Sequence, residues 1–128
     1  MAMERFGLIA LGGALGALMR HGCVLLGARW AAAGIPLAVL VVNVLGSFAA
    51  GCVMTMVGAR GGAGENLRLF AMVGVLGAFT TFSAFSWENL ELVRAGSPGR
   101  AALHALLHVA LSLGAVVFGA WAARSALS

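Results

Sequence analysis

The sequence predicts an all-α membrane protein with four transmembrane helices, and three observations support this. The chain is 62% hydrophobic and 9% charged, with a mean hydropathy of +1.02, which is not the make-up of a soluble domain. Uncharged runs long enough to cross a bilayer recur along it. Ile35–Ala59 has 25 such residues, Leu69–Trp87 has 19 and Ala101–Ala123 has 23, where roughly 20 are needed. Phe6–Met19 is uncharged for 14 residues and continues past Arg20 to about Ala28. The stretches between these runs are short and leave no room for an extramembrane domain.

The first helix is expected over about 5–28. Arg5 before an apolar run looks like the start of a signal peptide. The run, however, carries Gly12, Gly13 and Gly16, lacks a small-x-small cleavage boundary and leads straight into Arg20, so it reads as a helix. The other helices are expected over about 35–58, 67–94 and 98–124, within one transmembrane domain spanning 1–128. The connections are Gly27–Pro36, the Gly-rich Gly58–Asn66 and Arg94–Arg100. Ser97 followed by Pro98 suits an N-cap and first helical position. The pairs Gly12/Gly16, Gly13/Ala17, Gly46/Ala50 and Ser47/Gly51 follow the small-xxx-small pattern of closely packed membrane helices.

All eight basic residues are Arg, and the net charge is +4. In a soluble protein that balance would suggest nucleic acid. Here the charges flank helices and read as topology signals and contacts to the lipid bilayer, with no nucleic-acid partner. Four crossings put Arg5, Arg60, Arg68 and Arg124 on one side and Arg29, Arg94 and Arg100 on the other. So small a bias does not fix one orientation. Two copies inserted opposite ways up could pair antiparallel and build inverted symmetry from two chains. The other reading is a single orientation set by other features. Cys23 and Cys52 fall within apolar runs and suggest neither a disulfide framework nor a metal site.

The richest segment is 77–88, GAFTTFSAFSWE. Hydroxyls in hydrocarbon are costly without partners, so Thr80, Thr81, Ser83 and Ser86 point to a wet or ligand-binding lining. Phe82 and Phe85, three apart, share a helix face, and the edge of a phenyl ring is electropositive. Gly74 and Gly77 weaken the helix just ahead, and a break there would free backbone carbonyls. Glu88 is expected to pair with an Arg or cap the helix. Asn43 and Ser47 sit one turn apart in the second helix, where the amide is either a donor to a ligand or interhelical glue. Arg20 either snorkels to the interface or sets a positive field in an aqueous vestibule. His104, His108 and Ser112, each four apart, form a polar stripe on the last helix. A hydrated lining is expected for it, since a metal or haem site lacks a third ligand nearby.

At GGALGALMRH (12–21), VVNVLGSFAAG (41–51) and GVLGAFTTFSAFS (74–86) the chain resembles the CrcB/Fluc fluoride channel family, over its whole length. The resemblance implies a passive, fluoride-selective channel relieving fluoride toxicity, a broken third helix, and an antiparallel dual-topology homodimer in the inner cell membrane. It assigns Asn43 to the pore, Phe82 and Phe85 to ring edges facing the fluoride ion, Ser83 and Thr81 to the same signature, and Arg20 to the vestibule. His104, His108 and Ser112 fall on its polar track. The Gly77 and Thr80 carbonyls match donors to a structural Na+ on the dimer axis. The chain departs from the family pattern at Ala78, at His21 and at His104 and His108, where Tyr or Ser is common. Protonating either of those two His between about pH 5 and 8 is expected to alter flux.

Two other classes compete. A small cation or drug exporter would need a membrane-embedded carboxylate for proton exchange, and the first helix has none. A non-conducting assembly subunit or haem anchor has only the His pair in its favour. An enzyme is not expected, since nothing resembles a nucleophile–base set or a catalytic metal site.

Overall fold

The computed structural model describes residues 2–32 and 37–128, with side chains described over 2–28 and 37–128. Part of the expected first connection and the expected start of the second helix, at residue 35, lie outside these. Among the described residues every regular element is helical. Helix α1 spans Ala2–Ala32 and α2 spans Leu37–Arg60. A 3₁₀ turn, Gly61–Gly64, leads into the short α3, Glu65–Leu67, and a π-helical stretch, Arg68–Leu76. Then come α4 (Gly77–Phe79), α5 (Phe82–Arg94) and α6 (Pro98–Leu127). Ala2–Ala28, Leu37–Arg94 and Pro98–Leu127 are each long and apolar enough to cross a membrane. The chain is an all-α, multi-pass membrane protein.

Small residues set the packing. Gly12 and Gly16 of α1 lie against the π-helical stretch, where a methyl on either would run into the carbonyl oxygen of Phe70 or Val75. Gly74 answers from the other side, and a Cβ there would sit 2.9 Å from the Gly12 Cα. On the second packed face, Gly51 of α2 meets the Val116 carbonyl and Gly119 of α6 meets the Phe48 carbonyl. The Cys52 thiol there donates to the Gly119 carbonyl oxygen at 3.3 Å. The expected small-residue pairs are thus interface residues in part. A Cβ added at Gly13 would meet nothing within 4 Å, whereas one at Gly46 would run into the Thr80 and Phe79 side chains.

The turn between α5 and α6 closes on itself. Gly96 takes φ +71°, a region only glycine enters cheaply. The Ser97 and Gly96 amides donate to the Leu92 and Val93 carbonyls, both at 3.0 Å, which is the Schellman arrangement. Pro98 begins α6, as expected. Ser97 stands at its N-cap with φ −118° and ψ 58° and makes no side-chain cap bond. The hairpin lays α5 against α6, with Asn89 meeting His104 and Phe85 meeting His108.

Gly74 and Gly77 do not interrupt the helix. The backbone stays helical through both, with Gly77 at φ −61° and ψ −34°, because the missing side chain of Gly74 serves close approach to α1. It leaves the helical region only at Thr80 (ψ 156°) and Thr81 (φ −154°, ψ 119°).

Candidate functional site

The interruption at Thr80–Thr81 is held by a residue far away in sequence. The Asn43 side chain of α2 donates from Nδ2 to the Thr81 carbonyl at 3.0 Å, and its Oδ1 accepts from the Thr81 amide at 2.8 Å. One amide side chain thus pairs with an extended residue as a neighbouring strand would. The Thr81 hydroxyl caps α5 by accepting from the Ala84 amide at 3.2 Å and lies 3.1 Å from the Ser83 hydroxyl. Thr80 turns its hydroxyl and its amide onto the Leu76 carbonyl, at 2.9 and 3.0 Å.

These bonds redirect two amides. In an unbroken helix the Thr81 amide would serve the Gly77 carbonyl and the Ala84 amide the Thr80 carbonyl. Here Asn43 takes the first and the Thr81 hydroxyl takes the second. The Gly77 and Thr80 carbonyls therefore lack their regular helical donors.

Beside the break opens a cleft of about 490 Å³. Asn43, Thr80, Thr81, Phe85, His108 and Ser112 supply its polar and aromatic lining, with Ser47, Gly77 and Phe82 at its walls. Among the described residues no Asp, Glu, Lys or Arg lines it. The Phe82 and Phe85 rings are tilted at 52° with centroids 5.2 Å apart, and Phe82 is 77% exposed. Such a cleft offers hydroxyls, an amide and ring edges, but no fixed charge.

The other expected residues lie around it. Arg20 lines a second cavity of about 220 Å³ together with His21 and Thr81, so the Thr81 segment borders both spaces. Ser83 is exposed and reaches the site only through Thr81. His104 is buried outside the cleft lining, with its Nδ1 accepting from the Asn89 side-chain amide at 3.0 Å. Among the described residues Glu88 pairs with no Arg, and it caps neither end of α5. Its Oε2 lies 3.4 Å from His104 Nε2. His104 and His108 thus form a buried pair under α5, 7% and 5% exposed, while His108 and Ser112 also line the cleft.

Sequence reasoning missed Glu88 and Asn89 as partners of that pair. The hairpin register was the available signal. Asn89 lies seven residues before Gly96 and His104 seven after Ser97, while Phe85 and His108 are each eleven away. Both pairs are in contact.

The chain is similar in sequence to several relatives, three of them each named "Fluoride-specific ion channel FluC". The protein from Hyphomonas neptunium is 43% identical, over 95% of this chain and 97% of its own length. That from Thermus thermophilus is 46% identical, over 87% and 88%. That from Deinococcus radiodurans is 49% identical, over 87% and 88%. The family model for "CrcB-like protein, Camphor Resistance (CrcB)" matches residues 7–120, a span holding the Asn43 clamp, the Thr80–Thr81 break and the whole cleft, and the chain belongs to that family.

Proposed function

We propose that the chain is a fluoride-selective passive channel that lets fluoride leave the cytoplasm and so relieves its toxicity. One observation carries the reading. At membrane depth an uncharged cleft gathers Asn43, Thr81, Ser112 and the Phe82–Phe85 edges beside a helix interruption. Fluoride is small and strongly hydrated, so a pathway must replace its water with donors and yet release it. Hydroxyls, an amide and positive ring edges do this without the trap a fixed cation would set. Asn43 spends one N–H on Thr81 and has a second to offer. Arg20, in the neighbouring cavity, supplies a positive field that draws anions toward the Thr81 segment. The inside-negative potential drives fluoride outward by about 2.3 kcal/mol per 100 mV. The curated relatives bear the same activity in their names, which also speaks against an enzyme.

The finer architecture belongs to the same proposal. The 58-residue apolar stretch Leu37–Arg94 is far longer than one crossing, which takes roughly 20 residues. It turns at Gly61–Gly64, where Gly64 lies against Val57 of α2. This supports four crossings, the third interrupted at Thr80–Thr81. The nearly even Arg distribution supports two copies inserted antiparallel in the inner membrane. The Gly77 and Thr80 carbonyls, deprived of their regular donors, suit a hard cation such as Na+, and with the same pair from a second copy would hold it at the dimer axis. Bound there, the ion would supply charge compensation for the carbonyls and a structural tie between subunits. The exporter alternative gains no support, since Glu88 is turned toward His104 and does not line the cleft.

The test is fluoride efflux from proteoliposomes, read with a fluoride electrode and repeated with chloride. Fast fluoride release with negligible chloride release is expected. No fluoride release from folded, helical protein would overturn the proposal.

A further inference from the structure

The fold supplies the third ligand that the sequence alone did not place near the histidine pair. One ligand atom from each of Glu88, His104 and His108 lies within 4.8 Å of the other two. Glu88 Oε2 and His104 Nε2, 3.4 Å apart, already stand at the edge length of a zinc tetrahedron, about 3.4 Å for bonds of about 2.0–2.1 Å. His108 Nδ1 is 3.2 Å from the His104 carbonyl. Only a protonated nitrogen can serve a carbonyl, so Nδ1 carries the hydrogen and Nε2 keeps its lone pair. Among the described residues that buried Nε2 finds no hydrogen-bond partner, and neither does the buried Glu88 Oε2. A buried imidazole lone pair, with its other nitrogen tied to a backbone carbonyl, is the usual state of a metal-ligating histidine.

We propose that Glu88, His104 and His108 form a binding site for a borderline divalent transition metal of the zinc class. Two imidazoles and a carboxylate are the donor set of three-ligand zinc sites, which leave a fourth position open. Hard cations would prefer more oxygens. The Glu88 side chain, 22% exposed, marks the way in. Binding would draw the three ligand atoms, now within 4.8 Å of one another, in toward that edge length. His104 must also change tautomer. Asn89 now donates to its Nδ1, which puts the His104 hydrogen on Nε2, facing Glu88. Metal binding at Nε2 moves that hydrogen to Nδ1, and Asn89 then presents its oxygen. An Asp at 89 would favour this state directly, as carboxylates behind ligating histidines do.

The site is coupled to the cleft. The Phe85 ring stacks on His104 at 5.8 Å and leans on His108 at 4.5 Å, and His108 lines the cleft. A bound divalent ion would pin that wall and place positive charge beside the path, slowing an anion's exit. This consequence rests on the channel reading, whereas the binding does not.

The experiment titrates the purified full chain in detergent with Zn2+ by calorimetry, and with Co2+ while following its visible absorption. One saturable ion per chain and the strong bands of four-coordinate cobalt are expected. E88Q, H104Q and H108Q should each weaken binding by at least about tenfold, while N89D should tighten it. Absence of saturable binding in the wild type, or unchanged affinity in all three ligand variants, overturns the site. If a ligand variant loses its helical circular dichroism, N89D decides, since a gain in affinity cannot come from unfolding and an unchanged affinity counts against this geometry. In proteoliposomes zinc should slow fluoride efflux, half-maximally where binding is half-saturated. Zinc binding without any efflux would remove the channel reading and keep the metal site. Efflux that ignores bound zinc would overturn the coupling.

Discussion

The chain leaves the helix twice within twenty residues, at Thr80–Thr81 and at Ala95–Ser97, and the two interruptions are built differently. The second is local. Gly96 supplies the left-handed backbone, and neighbouring amides satisfy the last carbonyls of α5. The first has no positive φ and no glycine at the break. It depends on Asn43, 38 residues away, whose side chain takes both the amide and the carbonyl of Thr81. The local turn leaves nothing over and reverses the chain. The clamped one leaves carbonyls, those of Gly77 and Thr80 among them, without their helical donors, and a cleft alongside. An interruption that needs a distant clamp, in a solvent where unpaired backbone groups are so costly, is kept for what it exposes.

The largest expected effect comes from breaking the clamp. Asn43→Asp can still accept from the Thr81 amide but cannot donate to its carbonyl, and it sets a negative charge beside the cleft. Two unit charges about 4 Å apart repel by about 4 kcal/mol at an effective dielectric of about 20. Each 1.4 kcal/mol is a factor of about ten. Fluoride efflux should therefore fall by two orders of magnitude or more, measured in the same vesicles as the wild type. Efflux within a few-fold of wild type would mean that Asn43 only ties helices together.

Next in size are the ring edges. Replacing Phe82 or Phe85 with Ile keeps bulk and apolarity but removes the electropositive edge, so each should abolish or sharply reduce fluoride efflux while the protein stays folded. Phe82→Ile is the cleaner of the two, because Phe82 is largely exposed, whereas Phe85 also packs on both histidines. Wild-type rates in both variants would end the ring-edge proposal and leave the hydroxyls and the amide as the whole lining.

The same contrast explains what was legible beforehand. The membrane class followed from apolar runs alone, and Pro98 marked the start of α6, because these signals are local. The family followed from three motifs with their spacing. The break could not be placed by local propensity. Gly74 and Gly77 drew attention to the wrong residues, since one of them serves packing against Gly12 and the backbone is helical at both. Its position at Thr80–Thr81 is decided by Asn43, and a tertiary bond of that kind leaves no mark in a propensity scale. Glu88 and Asn89 were hidden for a related reason, since their contact with His104 appears only once the hairpin register is known. Arg20 had two readings from sequence, and the fold places it in a cavity bordered by Thr81.

The smallest effect separates the two interruptions most sharply, because each is followed by a helix whose N-cap is a hydroxyl residue. Thr81 caps α5 through its side chain, accepting from the Ala84 amide. Ser97 stands at the cap of α6 with no such bond, its amide given to Leu92 and its carbonyl to Ala101. Thr81→Ala should therefore cost about 1–2 kcal/mol of stability, as the loss of a working cap does, and the cost should sit at the upper end because the orphaned amide lies at membrane depth. Ser97→Ala should change stability by less than about 0.5 kcal/mol. Thermal unfolding in one detergent, followed by helical circular dichroism, gives both values side by side, and Thr81→Ser should recover most of the loss by restoring the hydroxyl. Equal losses at the two positions would show that Ser97 takes up a cap bond in the membrane, and the local turn would then be as dependent on a side chain as the clamped one.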